Sequence, residues 1–209
     1  MYTTNEWYTY EKLIDKKICN KIKGLVKDKW QEATLDTAGI PTKEERRIGR
    51  KGDFKPDPKL RISEVFWTAD QWIYDIIWPY MQRANEEAGW RFHIKAAESM
   101  QITRYRKGGF YNLHRDGSGD YLSAYNNPQN TFLHGHVRKL SMSVILNDDF
   151  EGGEFEFATY GKEECNITPI EGETGTVIVF PSWMEHRVAP VTKGIRYSLV
   201  SWFVGPPFV

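Results

Sequence analysis

From residue 98 onward the chain is a succession of short β-rich runs separated by turn signals, with no helical pattern between them. The runs are 98–106 (ESMQITRYR), 138–147 (RKLSMSVILN), 153–158 (GEFEFA), 175–180 (GTVIVF), 185–191 (EHRVAPV) and 195–203 (IRYSLVSWF). Strands joined without crossover helices pair as antiparallel neighbours. They then bury their apolar faces against a second sheet, which predicts a sandwich or jelly roll.

The first ninety residues read differently. Residues 10–30 place Leu13, Ile14, Ile18, Ile22, Leu25 and Val26 at steps of three and four, an amphipathic helix with a lysine-rich outer face. A second helix is predicted over 68–88, with Thr68 at its cap and Trp72, Ile73, Ile76, Ile77, Tyr80, Met81 and Ala84 as its apolar stripe. Pro79 inside it predicts a kink or a break. Residues 36–61, charged and interrupted by Gly and Pro, read as an unusually long loop. The expectation is one α+β, mainly β domain over 1–209. In it, 1–90 give mainly helical support and a long loop, and 91–209 give the jelly-roll core.

Composition excludes several function classes. Lys+Arg and Asp+Glu balance at 28 each, so nothing pulls the protein toward nucleic acid. Apolar residues at 40% are enough for a core. The two cysteines, Cys19 and Cys165, are too few and too far apart for a disulfide framework and read as reduced structural thiols. The N-terminal stretch lacks the basic start and apolar run of a signal peptide, and no apolar run approaches a membrane span. A soluble, cytoplasmic protein without membrane or nucleic-acid partners is expected.

The chemistry concentrates in YNLHRDGSGDY, residues 111–121. His114-x-Asp116 alone is commonplace, and a polar turn explains it equally well. A second histidine changes the reading, and His186 stands at the start of a predicted strand. Two histidines and one carboxylate on one face of a metal leave three positions open, the arrangement of non-haem Fe(II) oxygenases. A 2-oxo acid can chelate two of those positions, leaving one for O2. Its far carboxylate then needs a fixed cation, and Arg196 follows His186 by ten residues on the next strand. Arg196, Ser198, Val200 and Trp202 share one strand face, so a guanidinium and a hydroxyl point toward one anion.

The ordered stretches QITRYRKGGFYNLHRD, LNDDFEGGEFEF and GTVIVFPSWMEHRVAPVTKGIRYSLVSWF resemble the Fe(II)/2-oxoglutarate-dependent dioxygenases, most closely the prolyl 4-hydroxylase-like branch. The resemblance covers roughly 98–204, and more weakly the helical part from about 61. It implies a double-stranded β-helix core and His114, Asp116 and His186 as the metal-binding catalytic set. It implies Tyr105, Arg196 and Ser198 around 2-oxoglutarate. It also implies the glycine turn Gly152-Gly153-Glu154 and the Phe180-Pro181-Ser182 stretch before the distal histidine. The implied reaction takes Fe(II), O2 and 2-oxoglutarate, releases succinate and CO2, and hydroxylates an unactivated C–H, with ascorbate as a reductant. The implied substrate is a prolyl residue in a peptide or protein. A free amino acid or small metabolite is the alternative on the same scaffold. Two positions depart from the common pattern: Arg196 stands where many relatives carry Lys, and Ile145 stands where some carry Tyr.

Gln101 and Thr103 share a strand face with Tyr105 and are expected to line the pocket. The loop 117–135, through Tyr121 and Tyr125, is expected to form the rim of the substrate cleft, and Trp183 and Trp202 to face it. His134, His136 and His93 read as surface or structural residues. A zinc hydrolase would leave Arg196 without a role. A nucleic-acid demethylase of the same superfamily typically carries a further Arg where this chain has Trp202. A non-catalytic scaffold would not need the complete residue set. No segment specifies an oligomeric state.

Overall fold

The computed structural model describes residues 5–36, 54–117, 122–161 and 164–209. The elements run β1 Tyr8–Tyr10, α1 Lys16–Gly24, β2 Gln31–Glu32, β3 Leu35–Asp36, β4 Phe54–Lys55, β5 Arg61–Ile62, β6 Glu64–Thr68, α2 Gln71–Glu87 and β7 Ala96–Ala97. They continue with β8 Met100–Arg106, β9 Phe110–His114, β10 Val137–Ile145, β11 Phe150–Gly152, β12 Phe155–Tyr160, β13 Cys165–Ile170, β14 Val177–Pro181, β15 His186–Val188 and β16 Val191–Gly205.

The major sheet runs β1-β14-β10-β16-β8-β6-β2, with β7 and β11 also paired to β16. The minor sheet runs β13-β12-β15-β9-β5. The mainly β jelly-roll class expected from the sequence is borne out.

Alternation along the central strands sorts side chains to two faces. Met100, Ile102, Leu140, Met142, Val177, Val179, Leu199 and Phe203 join Ile73, Ile77 and Met81 of α2 and Ile22 of α1 in one core. The opposite face contributes Tyr105, Ile178 and Phe180 to a second core with Phe155, Phe157 and Val188 of the minor sheet. Helices therefore cover one side of the major sheet, and the minor sheet covers the other.

Several expectations are corrected in detail. The first helix is nine residues long. Tyr8–Tyr10 is instead an edge strand on β14, and the chain turns with Lys12 at φ 49° before Asp15 caps α1 by accepting from the Lys17 N–H at 2.7 Å. Lys27 at φ 45° lies in the left-handed region just beyond the helix end, so Val26 is buried from a turn. The N-terminal segment contributes β6 to the major sheet as well as helices. The region 36–61 ends in β4, a turn and β5, and its residues 37–53 lie outside the described ones.

In α2 the N-cap position is Asp70, two residues after the expected Thr68, whose hydroxyl oxygen accepts the Asp70 N–H at 3.3 Å. The helix runs through Pro79 without a break. Pro79 is exposed, on the side where water can satisfy the carbonyl freed one turn earlier. The apolar stripe outweighs that lost hydrogen bond. Pro79→Ala should restore it and raise stability by about 1–2 kcal/mol in urea unfolding.

Candidate metal centre and co-substrate pocket

His114 ends β9 and His186 begins β15, and the two are cross-strand partners in the minor sheet. Their ring centroids are 4.2 Å apart. Asp116 follows two residues after the strand, and its N–H donates to the Ser182 carbonyl at 2.9 Å. This returns its carboxylate to the histidine pair: Oδ1 lies 3.8 Å from His114 Nε2, and Oδ2 lies 3.7 Å from His186 Nε2. The three ligand atoms fall within 4.8 Å of one another, and no other such group occurs among the described residues.

The surroundings prepare each of the three for a cation. The Nδ1–H of His114 donates to the Asn112 carbonyl at 2.8 Å, and that of His186 to the Met184 carbonyl at 2.9 Å. Each bond fixes the tautomer that leaves the Nε2 lone pair toward the cluster. Ser141 Oγ donates to Asp116 Oδ2 at 2.6 Å, and Ser182 Oγ lies 3.0 Å from Ser141 Oγ. Burial, reinforced by His186, pushes the His114 pKa down to about 3. Burial would raise Asp116, but His186, His114, Arg138 and the Ser141 hydrogen bond outweigh it and hold the carboxyl below its ordinary value. A neutral imidazole at His114 and a carboxylate at Asp116 are the forms a divalent metal requires.

Arg196, on β16 of the major sheet, is 1% exposed, and none of its three guanidinium nitrogens has a hydrogen-bond partner. Its Cζ sits 5.6 Å from the Tyr105 ring centroid. Burial lowers its pKa against the opposing influence of Tyr105 and Glu154. A buried, unpaired guanidinium costs several kcal/mol, so this arrangement calls for an anion. The glycine turn packs closely on the arginine stem: a Cβ on Gly153 would stand 3.0 Å from Arg196 Cδ, and one on Gly152 would stand 2.5 Å from the Pro190 carbonyl oxygen. The donor set fits a dicarboxylate held between Arg196 and a metal, with Tyr105 and Ser198 beside it.

The cluster opens into a cavity of about 330 Å³ lined by His114, Asp116, His186, Tyr105 and Ser198, and toward its mouth by Trp67, Tyr125 and Trp202. Tyr105, Ser198, Tyr125 and Trp202 are all on this wall, whereas Arg196 is not among the lining residues and lies with its Cζ 5.6 Å from the Tyr105 ring. Gln101 lines the wall, whereas Thr103 is fully buried and bonds Gln101 Oε1 at 3.2 Å. Trp183 does not face the cavity. It packs edge-on against Phe92 and Phe208 at 5.4 Å, because the turn after Phe180 directs it to the outer surface. Tyr121 lies outside the described residues. His134 is exposed, His136 is partly exposed, and neither joins the cluster.

Sequence reasoning missed a group of wall residues. Arg138 forms a two-pronged ion pair with Glu98, both bonds at 2.7 Å, and its Cζ lies 4.3 Å from the Trp202 ring centroid. Tyr125 donates its hydroxyl to the same Glu98 at 2.7 Å. Plain alternation would put Arg138 on the helix side with Leu140. A register shift between the two turns it to the cavity, and no sequence pattern announced that bulge. Arg61 donates to Ser63 Oγ at 2.7 Å and Gln101 Oε1 at 2.8 Å, and lies over Tyr111 at 4.5 Å.

The chain spans less than half the length of the curated relatives it matches. It is 33% identical over 105 residues to a PKHD-type hydroxylase of Xylella fastidiosa strain M12, covering 49% of this chain and 42% of that protein. It is 31% identical over 110 residues to a PKHD-type hydroxylase of Picosynechococcus, covering 52% of this chain and 42% of that protein. Among solved structures it resembles a Pseudomonas putida prolyl-4-hydroxylase (TM-score 0.62, 15% identity, 96% of this chain and 92% of that chain). It also resembles a Trichoplax adhaerens prolyl hydroxylase in complex with a hypoxia inducible factor peptide fragment (TM-score 0.63, 16% identity, 96% of this chain and 84% of that chain). These likenesses share the fold. The profile of the 2OG-Fe(II) oxygenase superfamily matches residues 100–204, the strands that carry the His-Asp-His cluster and Arg196, and the chain belongs to that superfamily.

Proposed function

We propose that the protein is an Fe(II)- and 2-oxoglutarate-dependent hydroxylase acting on a prolyl residue of a peptide or protein, with ascorbate as reductant. The observation that carries the reading is the buried, unpartnered Arg196 guanidinium of the major sheet, on the strand whose Ser198 and Trp202 line the same cavity as the His114-Asp116-His186 cluster of the minor sheet. A metal site alone has no use for that charge. Bound Fe(II) would activate O2, the oxidant; 2-oxoglutarate would give up two electrons and leave as succinate and CO2, the C–H bond would give up the other two, and one oxygen atom would go to succinate and the other to the substrate.

The chain's residues supply everything else. His114, Asp116 and His186 hold the metal from one side and leave the cavity side open. Arg196 takes the distal carboxylate of 2-oxoglutarate with its planar fork, and Tyr105 and Ser198 donate beside it. Phe155, Phe180 and Val188 line the inner wall and keep water from the reacting end. Trp67, Tyr125 and Trp202 flank the mouth with aromatic faces that suit an apolar ring such as proline. The Glu98–Arg138 pair cancels its own charge, which favours a neutral substrate group over a charged one. The prolyl hydroxylases among the structural neighbours support the same substrate class.

An anaerobic titration of the Fe(II)-loaded protein with 2-oxoglutarate tests the reading through the weak visible metal-to-ligand charge-transfer band. The band should appear in the native protein and vanish in His186→Ala together with turnover. Arg196→Ala should retain iron while its 2-oxoglutarate requirement rises at least tenfold. Unchanged 2-oxoglutarate affinity in that variant would remove Arg196 from its role. Ser141→Ala should fold normally and lose about 10- to 100-fold in Fe(II) affinity, read by anaerobic metal titration, because Asp116 loses the hydroxyl that orients it.

A further inference from the structure

A second concavity lies next to the cavity mouth, outside the set of residues that handles metal and co-substrate. It has a volume of about 410 Å³ and is walled by the N-terminal half of α2 through Tyr74 and Trp78, by β7 and by the loop 122–136 through Phe132 and Leu133. Its lining combines aromatic and aliphatic side chains with Gln71, Lys95, Glu98, Ser99 and Asn130, and Phe132 at its edge is 61% exposed. A lone exposed aromatic needs no explanation, but one that forms the lip of a concavity beside an active-site mouth does.

The two concavities share a single wall residue, Glu98. Its carboxylate is held on the cavity side by Arg138 and Tyr125, and its carbonyl accepts the Tyr74 hydroxyl at 2.7 Å on the groove side. The rims are continuous as well. Trp67, 47% exposed, stands at the cavity mouth 5.9 Å from Trp202, and Ala69, two residues on, lines the groove. Ladder pairing leaves this ground open: β6 ends at Thr68, so β7 has β16 on one side and no strand on the other among the described residues.

We infer that this groove is an accessory subsite for the same polypeptide substrate, taking an aromatic or large aliphatic side chain a few residues from the target. The inference rests on the peptide reading above and deepens it. A wall one residue thick corresponds to roughly two to four residues of extended chain at about 3.3–3.6 Å each. A free amino acid or small metabolite would not reach the groove. An extended peptide leaving the cavity past Trp67 meets it next, and Glu98, already fully hydrogen-bonded, adds no charge requirement. The groove thereby converts a site that reads one ring into a site that reads a short sequence.

The test uses 13-residue peptides centred on one proline, with Phe or Ala placed in turn at each position up to five residues on either side. Binding is measured calorimetrically on the anaerobic protein loaded with Fe(II) and 2-oxoglutarate, and hydroxylation by a 16 Da mass gain in air. Phe at one or two positions on one side should tighten binding about tenfold over Ala. The advantage should disappear in Phe132→Ala and in Ala69→Trp, which fills the groove from an exposed position, while 2-oxoglutarate affinity stays unchanged. Peptides shortened to three residues, one on either side of the proline, should bind all three proteins alike. Hydroxylation with no dependence on Phe position, or with both variants behaving as the native protein, overturns the groove and leaves the hydroxylase reading intact. Position-dependent, variant-sensitive binding without mass gain upholds the groove and overturns the hydroxylase reading. No binding by any peptide overturns the groove.

Discussion

A guanidinium buried without a partner is the constraint around which the remainder of the molecule is arranged. Arg196 sits on β16 opposite Tyr105 of β8, two residues before the ladder with β10 begins at Ser198, and on that second edge the Asn147 side chain bonds the backbone of Ile195 and Tyr197 to either side of it. Only a strand so held can keep a desolvated charge in place against its tendency to return to water. At the turn after β11, Gly153 gives up a side chain so that the backbone can approach the arginine stem. The helix-covered core on the far side of the sheet supplies the apolar burial that offsets the cost. Once an anion is present, the same charge changes from a liability into a binding determinant.

The candidate metal cluster uses the second sheet for a different purpose. Two short strands, β9 and β15, place His114 and His186 opposite one another, and a turn brings Asp116 back to them. The hydrogen bond from Ser141 to Asp116 runs from the major sheet to the cluster. The residues proposed for the co-substrate and the candidate metal ligands thus come from different sheets and meet only because the sheets pack. This division explains why the site lies at the open end of the sandwich. There the cavity is lined from both layers, and Phe155, Phe157 and Phe180 pack together in the core beside it.

Much of this was legible in the sequence where local chemistry decides it. The strands β8, β10, β14 and β16 are plain as β-rich runs because both of their faces are buried, against different layers, and the spacing from His186 to Arg196 follows from strand geometry. Legibility failed where tertiary contacts override pattern. The strand β9 has no clean alternation because it lines a mixed cavity, and β13 carries Pro169, which only an edge strand tolerates. Three further residues, Arg138, Glu98 and Arg61, entered the wall through a bulge, an irregular junction and a two-residue strand. Such features leave no periodic trace. Trp183 was misassigned because adjacency to a ligand in sequence says nothing about direction across a turn.

The parity of β10 carries a consequence for how such a protein can change over time. Leu140, Met142 and Val144 face the helices while Ser141 and Ser143 face the other way. Inserting or deleting one residue there would exchange the two sets, sending hydroxyls into the helix-covered core and aliphatic groups into the ligand cavity. Core and site therefore cannot drift separately along this strand, and a length change in it destroys both at once. Variation in length is tolerated only in the connections, and the connection 122–136 is the one that shapes what the cavity mouth can recognise. The scaffold is closed to indels in a strand that carries both core and cavity wall and open to them in a loop that walls the cavity and the groove, so the rim can be remodelled without rebuilding the candidate centre.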